Sequence, residues 1–535
     1  MLQTDVADLL LHASEEAPDR LAVVESGGRG RTWLELEHDV ASFATGLGGL
    51  GILAGARVML VIGNRLEFVT TYLGVLRAQV VAVPVNPRST ADELARMIAD
   101  SGTRLVVADP VALDAVRAAC AQVTAALDGA ETDLDAGLVV RAHRPRIVVI
   151  DTAPAQGEVA YADVLATEPR HLPPLPDPEK LAALLYTSGT SGRPRAAMLT
   201  HRALLANLAQ VAEVEPPMIH GDDVVLGVLP LFHVYGLNAV LGGVLRHRAK
   251  LLLVEHWDPL GALDLIEDEA VSVLPIAPPV FAHWRGVEDL VDRLGPVRLV
   301  LSGSAPLTPE VIEEFTALTA IPVHQGYGLT EASPVVTSTL CSATLQNGSV
   351  GAALPGIELR LVDETGHPVV GEDPGEIQVK GANLFSGYWP DGSGGPSAEG
   401  WWSTGDVGFL DPTGDLFLVD RIKELIIVSG FNVYPSEVED VLREVPGVRD
   451  AAVIGVPDEL TGEAVVAYVV ARDDSDPGAV GLADAARDHA AARLARFKQP
   501  TRIEVVDELP LTVTGKVQKG RLRGMERRRQ LGLLE

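Results

Sequence analysis

A chain of 535 residues, 47% hydrophobic and 22% charged, has the composition of an ordinary globular protein with material for three or four domain-sized units. Its formal charge of −30 and pI near 4.8 exclude a general binder of nucleic acid or anionic membranes, because neither polyanion is drawn to such a surface. Any phosphate ligand must therefore be held by local donors.

The N-terminal "MLQTDVADLL" has no basic n-region and no apolar signal core, so no secretion signal is expected. Between about residues 55 and 330, nine short apolar runs alternate with helical patterns: "RVMLVIG", "VVAVPV", "RLVVAD", "RIVVID", "LAALLYTS", "DVVLGVLP", "AKLLLVE", "VSVLPIAP" and "VRLVLSG". Uninterrupted Val/Leu/Ile strands separated by helices predict parallel sheets covered on both faces. The intervening "TADELARMIADSG" and "TPEVIEEFTALTA" each open at a threonine placed to cap a helix. Val224 to Leu245 carries no formal charge, yet Pro230, His233, Tyr235 and Asn238 interrupt it, and it reads as a buried strand followed by a core helix.

After about residue 340 the strands become polar-alternating, with hairpin turns at "DETG" and "DPTG", which predict a small antiparallel sheet or barrel. From about 424 follow a helix at "PSEVEDVLREV", strands at "AAVIGV" and "AVVAYVV", a helix through "LADAARDHAAARLARF" and a strand at "RIEVVDELP". The Pro-rich stretch 168–180 and the Gly/Ser-rich stretch 391–400 read as exposed connections, and there is no internal repeat. Cys120 and Cys341 lie too far apart in sequence to suggest a disulfide framework or a cysteine metal site, which points to the cytoplasm. Only seven lysines remain: Lys180, Lys250, Lys380, Lys423, Lys498, Lys516 and Lys519.

The stretch "YTSGTSGRPR", Tyr186 to Arg195, gathers hydroxyls, glycines and arginines suited to wrapping phosphate oxygens. Its spacing is not that of a P-loop, since Pro194 stands five places after Gly189. By itself it reads equally as a plain surface turn.

Eight segments in order give it a context: "YTSGTSGRPRAAMLTH" (186–201), "LPLFHVYGLN" (229–238), "SGSAPL" (302–307), "GYGLTE" (326–331), "GEIQVKG" (375–381), "WWSTGDVGF" (401–409), "VDRIKELIIVSGFNVYPSEVE" (419–439) and "LPLTVTGKVQKGRLR" (509–523). Together they resemble the AMP-forming acyl-CoA synthetases of the adenylate-forming superfamily, over residues 10 to 525. "LIIVSGFNVYPSEVE" looks closest to bacterial fatty acyl-CoA ligases. It looks less like the hydroxycinnamate ligases, which tend to have lysines at the places of Ile427 and Ser429.

The resemblance implies an α/β fold whose large N-terminal domain, residues 1–419, comprises two parallel-sheet subdomains to about 335 and a small antiparallel β-barrel at about 340–419. A hinge at 420–424 and a mobile α+β C-terminal domain, 425–535, would follow. ATP, Mg²⁺ and CoA are implied as cosubstrates and cofactor. A carboxylic acid would attack the α-phosphate of ATP, and CoA would then displace AMP. Thr187, Ser188, Gly189, Thr190, Ser191, Gly192 and Arg195 would clamp phosphates. The usual "PKG" ending of that loop is replaced by Pro194, Arg195 and Ala196, which keeps the charge and offers a bidentate fork. Glu331 would hold Mg²⁺ and Thr330 would bond the α-phosphate. A Thr-Glu pair also suits a plain helix start, Thr330 capping and Glu331 in the first turn.

Adenine would lie between Tyr327, followed by Gly328, and the backbone of Gly303, Ser304 and Ala305. Asp406 and Arg421 would hold the ribose. Lys516 would bridge the carboxylate and the α-phosphate, with Lys519 as its confounder. Since CoA must reach the same carbonyl, the small domain should rotate about Lys423, with Asp420 as the second pivot, bringing Ser429, Gly430 and Phe431 to the CoA path. His233, Val234, Tyr235, Gly236, Leu237 and Gly326 would line the acyl pocket, Gly326 and Gly328 bracketing Tyr327, and these glycines would leave space for an alkyl chain. No cation stands among them to pair with a second carboxylate, so a medium- or long-chain fatty acid is expected and an aromatic acid is the alternative. Gln79 stands where the family has glycine, and a local packing effect is expected there.

No G-x-S-x-G occurs, against a serine hydrolase. An acyl-AMP ligase loading a carrier protein shares the adenylation motifs, but the spacing between "GFLDPTG" and "GFNVYP" lacks the insertion such enzymes carry. A carrier-protein partner and a homodimer are carried forward as alternatives.

Overall fold

The structure is a computed structural model that describes residues 4–132, 134–187, 195–304, 307, 309–346, 348–363, 365–369, 373–421, 424, 426–428, 431–458, 461–472, 479–494, 496–512 and 515–530. One compact unit takes in most of the chain up to Glu358 together with Lys380–Trp402; a second takes in Leu359–Val379 and the chain from Ser403 onward.

The first unit contains two seven-stranded sheets. One runs, in spatial order, Val159–Ala160, Arg146–Val149, Leu105–Ala108, Arg57–Val61, Val81–Pro84, Leu181–Thr187 and Arg195–Thr200. All neighbours in it are parallel except the last pair, where Thr187 faces Arg195 in antiparallel register. The other runs Val323–Gln325, Leu299–Ser302, Val273–Ile276, Val224–Gly227, Lys250–Leu253, Leu21–Glu25 and Gly30–Thr32, parallel except at its last pair. All nine apolar runs form strands, and their buried side chains follow from helices covering both faces. Asn64 ties the sheets together: its Nδ2 donates to the carbonyls of Gly227 and Leu229 at 3.0 and 2.9 Å, and its Oδ1 accepts from Leu231 N–H at 2.9 Å.

Thr90 caps the helix Ala91–Ser101 as expected, with a reciprocal bond from Glu93 back to its own N–H. The second expected cap, Thr308, lies outside the described residues, although its helix Pro309–Thr319 is present. The uncharged stretch from Val224 forms the strand Val224–Gly227, then a π-helix Tyr235–Gly242 running into the α-helix Gly243–His247. Among the described residues no helix is long and apolar enough to cross a membrane. Gln79, after the helix Leu66–Arg77, has a φ of 57°. That left-handed conformation is where glycine costs least, so the Gln79 departure is a matter of backbone conformation, a correction to the packing effect expected.

The second unit holds a four-stranded antiparallel sheet, Ile357–Val362, Gly375–Gly381, Trp402–Leu410 and Leu416–Arg421, whose first strand and last pair are closed by the turns at "DETG" and "DPTG". Its α+β part pairs Val448–Asp458 with Gly462–Ala471 along nearly their whole lengths, and Arg502–Val506 joins in parallel. The two helices expected there are present, as Pro435–Arg443 and Ala479–Arg493; the second ends before the expected "LARF", and Arg496–Lys498 forms a separate 3₁₀ turn. A further helix, Lys519–Gln530, is new.

Both cysteines are thiols outside any disulfide. Burial pushes the Cys120 thiol up to about 12, so it stays protonated and unreactive, whereas Cys341 is partly exposed. Iodoacetamide at pH 8 is accordingly expected to label one thiol per native chain, at Cys341, and two after unfolding; native labelling of Cys120 would contradict this burial.

Candidate active site

Five residues after the strand Val323–Gln325, a single 3₁₀ turn, Thr330–Ala332, carries Glu331. Leu329 occupies the cap position, so Thr330 sits inside the turn and does not cap it. Three amides far away in sequence fix this segment. Asn207 makes a two-way clamp on Val335, at 2.8 and 3.1 Å; Asn238 donates to Ser333 O at 2.7 Å; and Asn383 donates to Ala332 O at 2.7 Å. All three amides are buried, so their hydrogen bonds fix one loop geometry.

Glu331 is buried, with 8% of its surface exposed. Its Oε1 accepts the Tyr388 hydroxyl at 2.7 Å, and its Oε2 has no hydrogen-bond partner among the described residues. Burial first, and the Glu331 carboxylate second, raise the Tyr388 phenol well above its usual range, so it stays a donor. The Arg195 guanidinium lies 3.7 Å from the centroid of the same Tyr388 ring.

Tyr327 is 7% exposed; its N–H donates to Thr337 Oγ1 at 3.2 Å and its carbonyl accepts from Val336 at 2.9 Å. A Cβ on Gly328 would stand 2.3 Å from Pro334 O, one on Gly326 2.7 Å from Thr337 O, and one on Gly236 2.3 Å from Pro230 O. The expectation that these glycines leave room for an alkyl chain is thus corrected: backbone fills the space beside each of them. Val234 and Leu237 are buried as well, while His233 and Tyr235 keep partial exposure. A Cβ on Gly303 would lie 2.9 Å from Cε1 of Tyr235, so this ring packs beside the end of the strand Leu299–Ser302. Ser304, next in sequence, has a φ of 74°.

Thr187 ends its strand with its hydroxyl 3.3 Å from Arg195 O. Ser188, Gly189, Thr190, Ser191 and Gly192 lie outside the described residues, as do Ala305, Lys423, Ser429 and Gly430. In the second unit, Asp406 is buried and faces Arg421 in the register of Trp402–Leu410 with Leu416–Arg421; Asp420 precedes Arg421 on that strand. Phe431 opens the strand Phe431–Val433.

Lys516 is exposed on a tight turn. Its N–H donates to Thr512 Oγ1 at 3.0 Å, its carbonyl accepts Thr512 N–H at 2.7 Å, and Leu511 and Val517 bridge below. Lys519 has a different setting: with 12% of its side chain exposed, its ammonium lies 3.0 Å from Glu424 and 2.8 Å from Glu439. Burial outweighs that lysine and holds the Glu439 carboxyl above the usual carboxylate range.

Among the described residues no group of three or more His, Cys, Asp and Glu side chains forms a metal cage. A lone carboxylate fits Mg²⁺ only if phosphates complete the coordination, and the Oε2 of Glu331 suits that donor set. The sequence assigns no role to Tyr388, Asn207 or Asn383, and shows Asn238 only as an interruption of an apolar stretch; the dense aromatic run "NLFSGYWP" is the one signal for the first.

The chain matches two family descriptions, "AMP-binding enzyme" over residues 10–389 and "AMP-binding enzyme C-terminal domain" over residues 437–516. It is 34% identical to 4-coumarate–CoA ligase-like 9 of Oryza sativa subsp. japonica, over 97% of this chain and 92% of that one. Among solved structures, ATP-bound MatB from Rhodopseudomonas palustris superposes with a TM-score of 0.84 at 31% identity, covering 97% and 98% of the two chains. The Mycobacterium tuberculosis fatty acyl CoA synthetase does so at 0.75 and 27%, covering 98% of each. The expected nearness to fatty acyl-CoA ligases over hydroxycinnamate ligases is corrected by these identities. It rested on Ile427 and Ser429, two positions in one short segment, against likeness spread over the whole chain.

Proposed function

Because the chain belongs to the AMP-binding enzyme family and is an ATP-dependent acid–CoA ligase acting through an adenylate, we propose that its acid is an aromatic monocarboxylate. The observation that carries this reading is the 34% identity to a 4-coumarate–CoA ligase-like protein along nearly the full chain. The Tyr235 ring beside Gly303 supports it, since an aromatic side chain in the expected acyl pocket gives an aromatic acid a ring to pack against. No Arg or Lys occurs from His233 to Leu237 to neutralise a second carboxylate. A medium- or long-chain fatty acid is the second reading, favoured by the likeness to the fatty acyl CoA synthetase.

In this proposal Tyr327 and the backbone of Gly303 and Ser304 take the adenine, and Asp406 with Arg421 takes the ribose. Thr187 and Arg195 flank the phosphate loop, while Thr330 donates to the α-phosphate. Glu331 holds Mg²⁺, which when bound neutralises charge on the phosphate oxygens. Lys516 offsets the repulsion between the incoming carboxylate and the phosphate. The small domain, from about residue 425, then turns about the Asp420–Glu424 hinge, so that Lys516 leaves and CoA enters past Phe431.

The test is mass spectrometry of products from ATP, Mg²⁺ and CoA with 4-coumarate, benzoate or dodecanoate, with parallel samples lacking CoA. Aryl-CoA with AMP is the expected outcome. Dodecanoyl-CoA alone would move the assignment to fatty acids, and adenylate that never becomes thioester would point to a carrier protein as acceptor.

A further inference from the structure

One tyrosine touches both charged groups on the phosphate side of the site. The hydroxyl of Tyr388 donates to Glu331 Oε1 at 2.7 Å, and the face of its ring carries the Arg195 guanidinium at 3.7 Å. The ring is not free to wander. Its backbone bridges to Ala197, on the strand that begins at Arg195, and to Ser393; the next residue, Trp389, donates to Ala196 O at 2.9 Å. Phe385 packs edge-on against the ring, centroids 5.0 Å apart, and its own N–H donates to Glu331 O at 2.9 Å. Beside both stands Gly394, where a Cβ would come 3.2 Å from the Tyr388 ring and 3.4 Å from an Arg195 nitrogen. The guanidinium of this exposed arginine therefore has a ring face against it and a glycine beside it.

A guanidinium is planar and weakly hydrated, so it stacks on such a face, whereas an ammonium presents a compact, strongly hydrated charge. Left to themselves, a cation and a carboxylate this close to a common partner attract one another, and an ion pair would occupy the carboxylate that the metal needs. Tyr388 gives each charge its own place: the hydroxyl takes Oε1, leaving Oε2 without a partner among the described residues, and the π-face takes the cation.

We propose that Tyr388 is a positioning residue for metal-nucleotide binding, orienting Glu331 through its hydroxyl while its ring keeps Arg195 from pairing with that carboxylate. The inference rests on the nucleotide site described under the proposed function.

Calorimetric titration with the non-hydrolysable analogue AMPPNP, once with Mn²⁺ and once with EDTA, tests it without turnover. For Tyr388→Phe, which keeps the ring and loses the hydroxyl, the ratio of Mn²⁺ to EDTA affinities is expected to fall about tenfold, as when a partner hydrogen-bonded to a metal ligand is removed. Its affinity in EDTA should stay near wild type. Tyr388→Leu, which also frees the arginine, should lower the ratio further. An unchanged ratio in Tyr388→Phe, read below that variant's melting temperature, overturns the role of the tyrosine. A wild-type chain whose AMPPNP binding is the same with Mn²⁺ and with EDTA would instead overturn the assignment of Glu331 to the metal, and this inference with it.

Discussion

Lys516→Ala is expected to slow adenylate formation by about 10²–10³-fold while thioester formation from a supplied acyl-adenylate largely persists. An ammonium that reaches both the carboxylate and the α-phosphate acts only in the first half-reaction, where two anions must approach. The fold should survive, because Lys516 is exposed and its turn is held by main-chain bonds that alanine retains. Pyrophosphate release measures the first step and acyl-CoA from synthetic adenylate the second; equal losses in both would remove Lys516 from the chemistry.

Lys519→Ala is the matched control, and it should fail differently. Removing an ammonium from between Glu424 and Glu439 leaves the buried Glu439 carboxylate with only the Val453 N–H and the more distant Arg443 guanidinium, at a cost of about 1–3 kcal/mol. That cost should depend on pH with a definite sign. Glu439 already titrates above the usual range, and without the lysine it titrates higher still, so the folded form binds more protons than the unfolded one. The stability deficit of Lys519→Ala is therefore expected to grow as pH rises from 5 to 8 and to shrink toward acid. Urea melts at two pH values would reveal a pH-independent deficit if the pair contributes nothing.

The other large effect is expected at Glu331. Glutamine there keeps a side-chain oxygen to accept the Tyr388 hydroxyl but lacks the charge for Mg²⁺, and the loss of a metal's charge stabilisation is worth several kcal/mol. Adenylation by Glu331→Gln should fall on the order of 10²-fold at moderate Mg²⁺, with melting temperature little changed. Recovery of the full wild-type rate at high Mg²⁺ would reduce Glu331 to an affinity determinant, and no loss at any concentration would place the metal elsewhere.

The sequence by itself determined the nine buried strands, the Thr90 cap, the antiparallel turn-rich stretch after 340 and the ordered polar loops. Each is written in residues that are neighbours in the chain: apolar runs, a threonine with a glutamate three places on, a glycine in a tight turn. Only the tertiary structure decided which distant groups meet. Tyr388 reaches Glu331 across 57 positions, Asn207 clamps Val335 across 128, and Lys519 differs from Lys516 through the helix and strand ends packed beside it. The glycines at 236, 326 and 328 read as open space in sequence, but neighbouring carbonyls fill it. Propensity and pattern report what a segment does with its own backbone. Charge pairing, burial and the filling of space depend on which surfaces the whole fold presses together, and for these side chains that is where their chemistry was fixed.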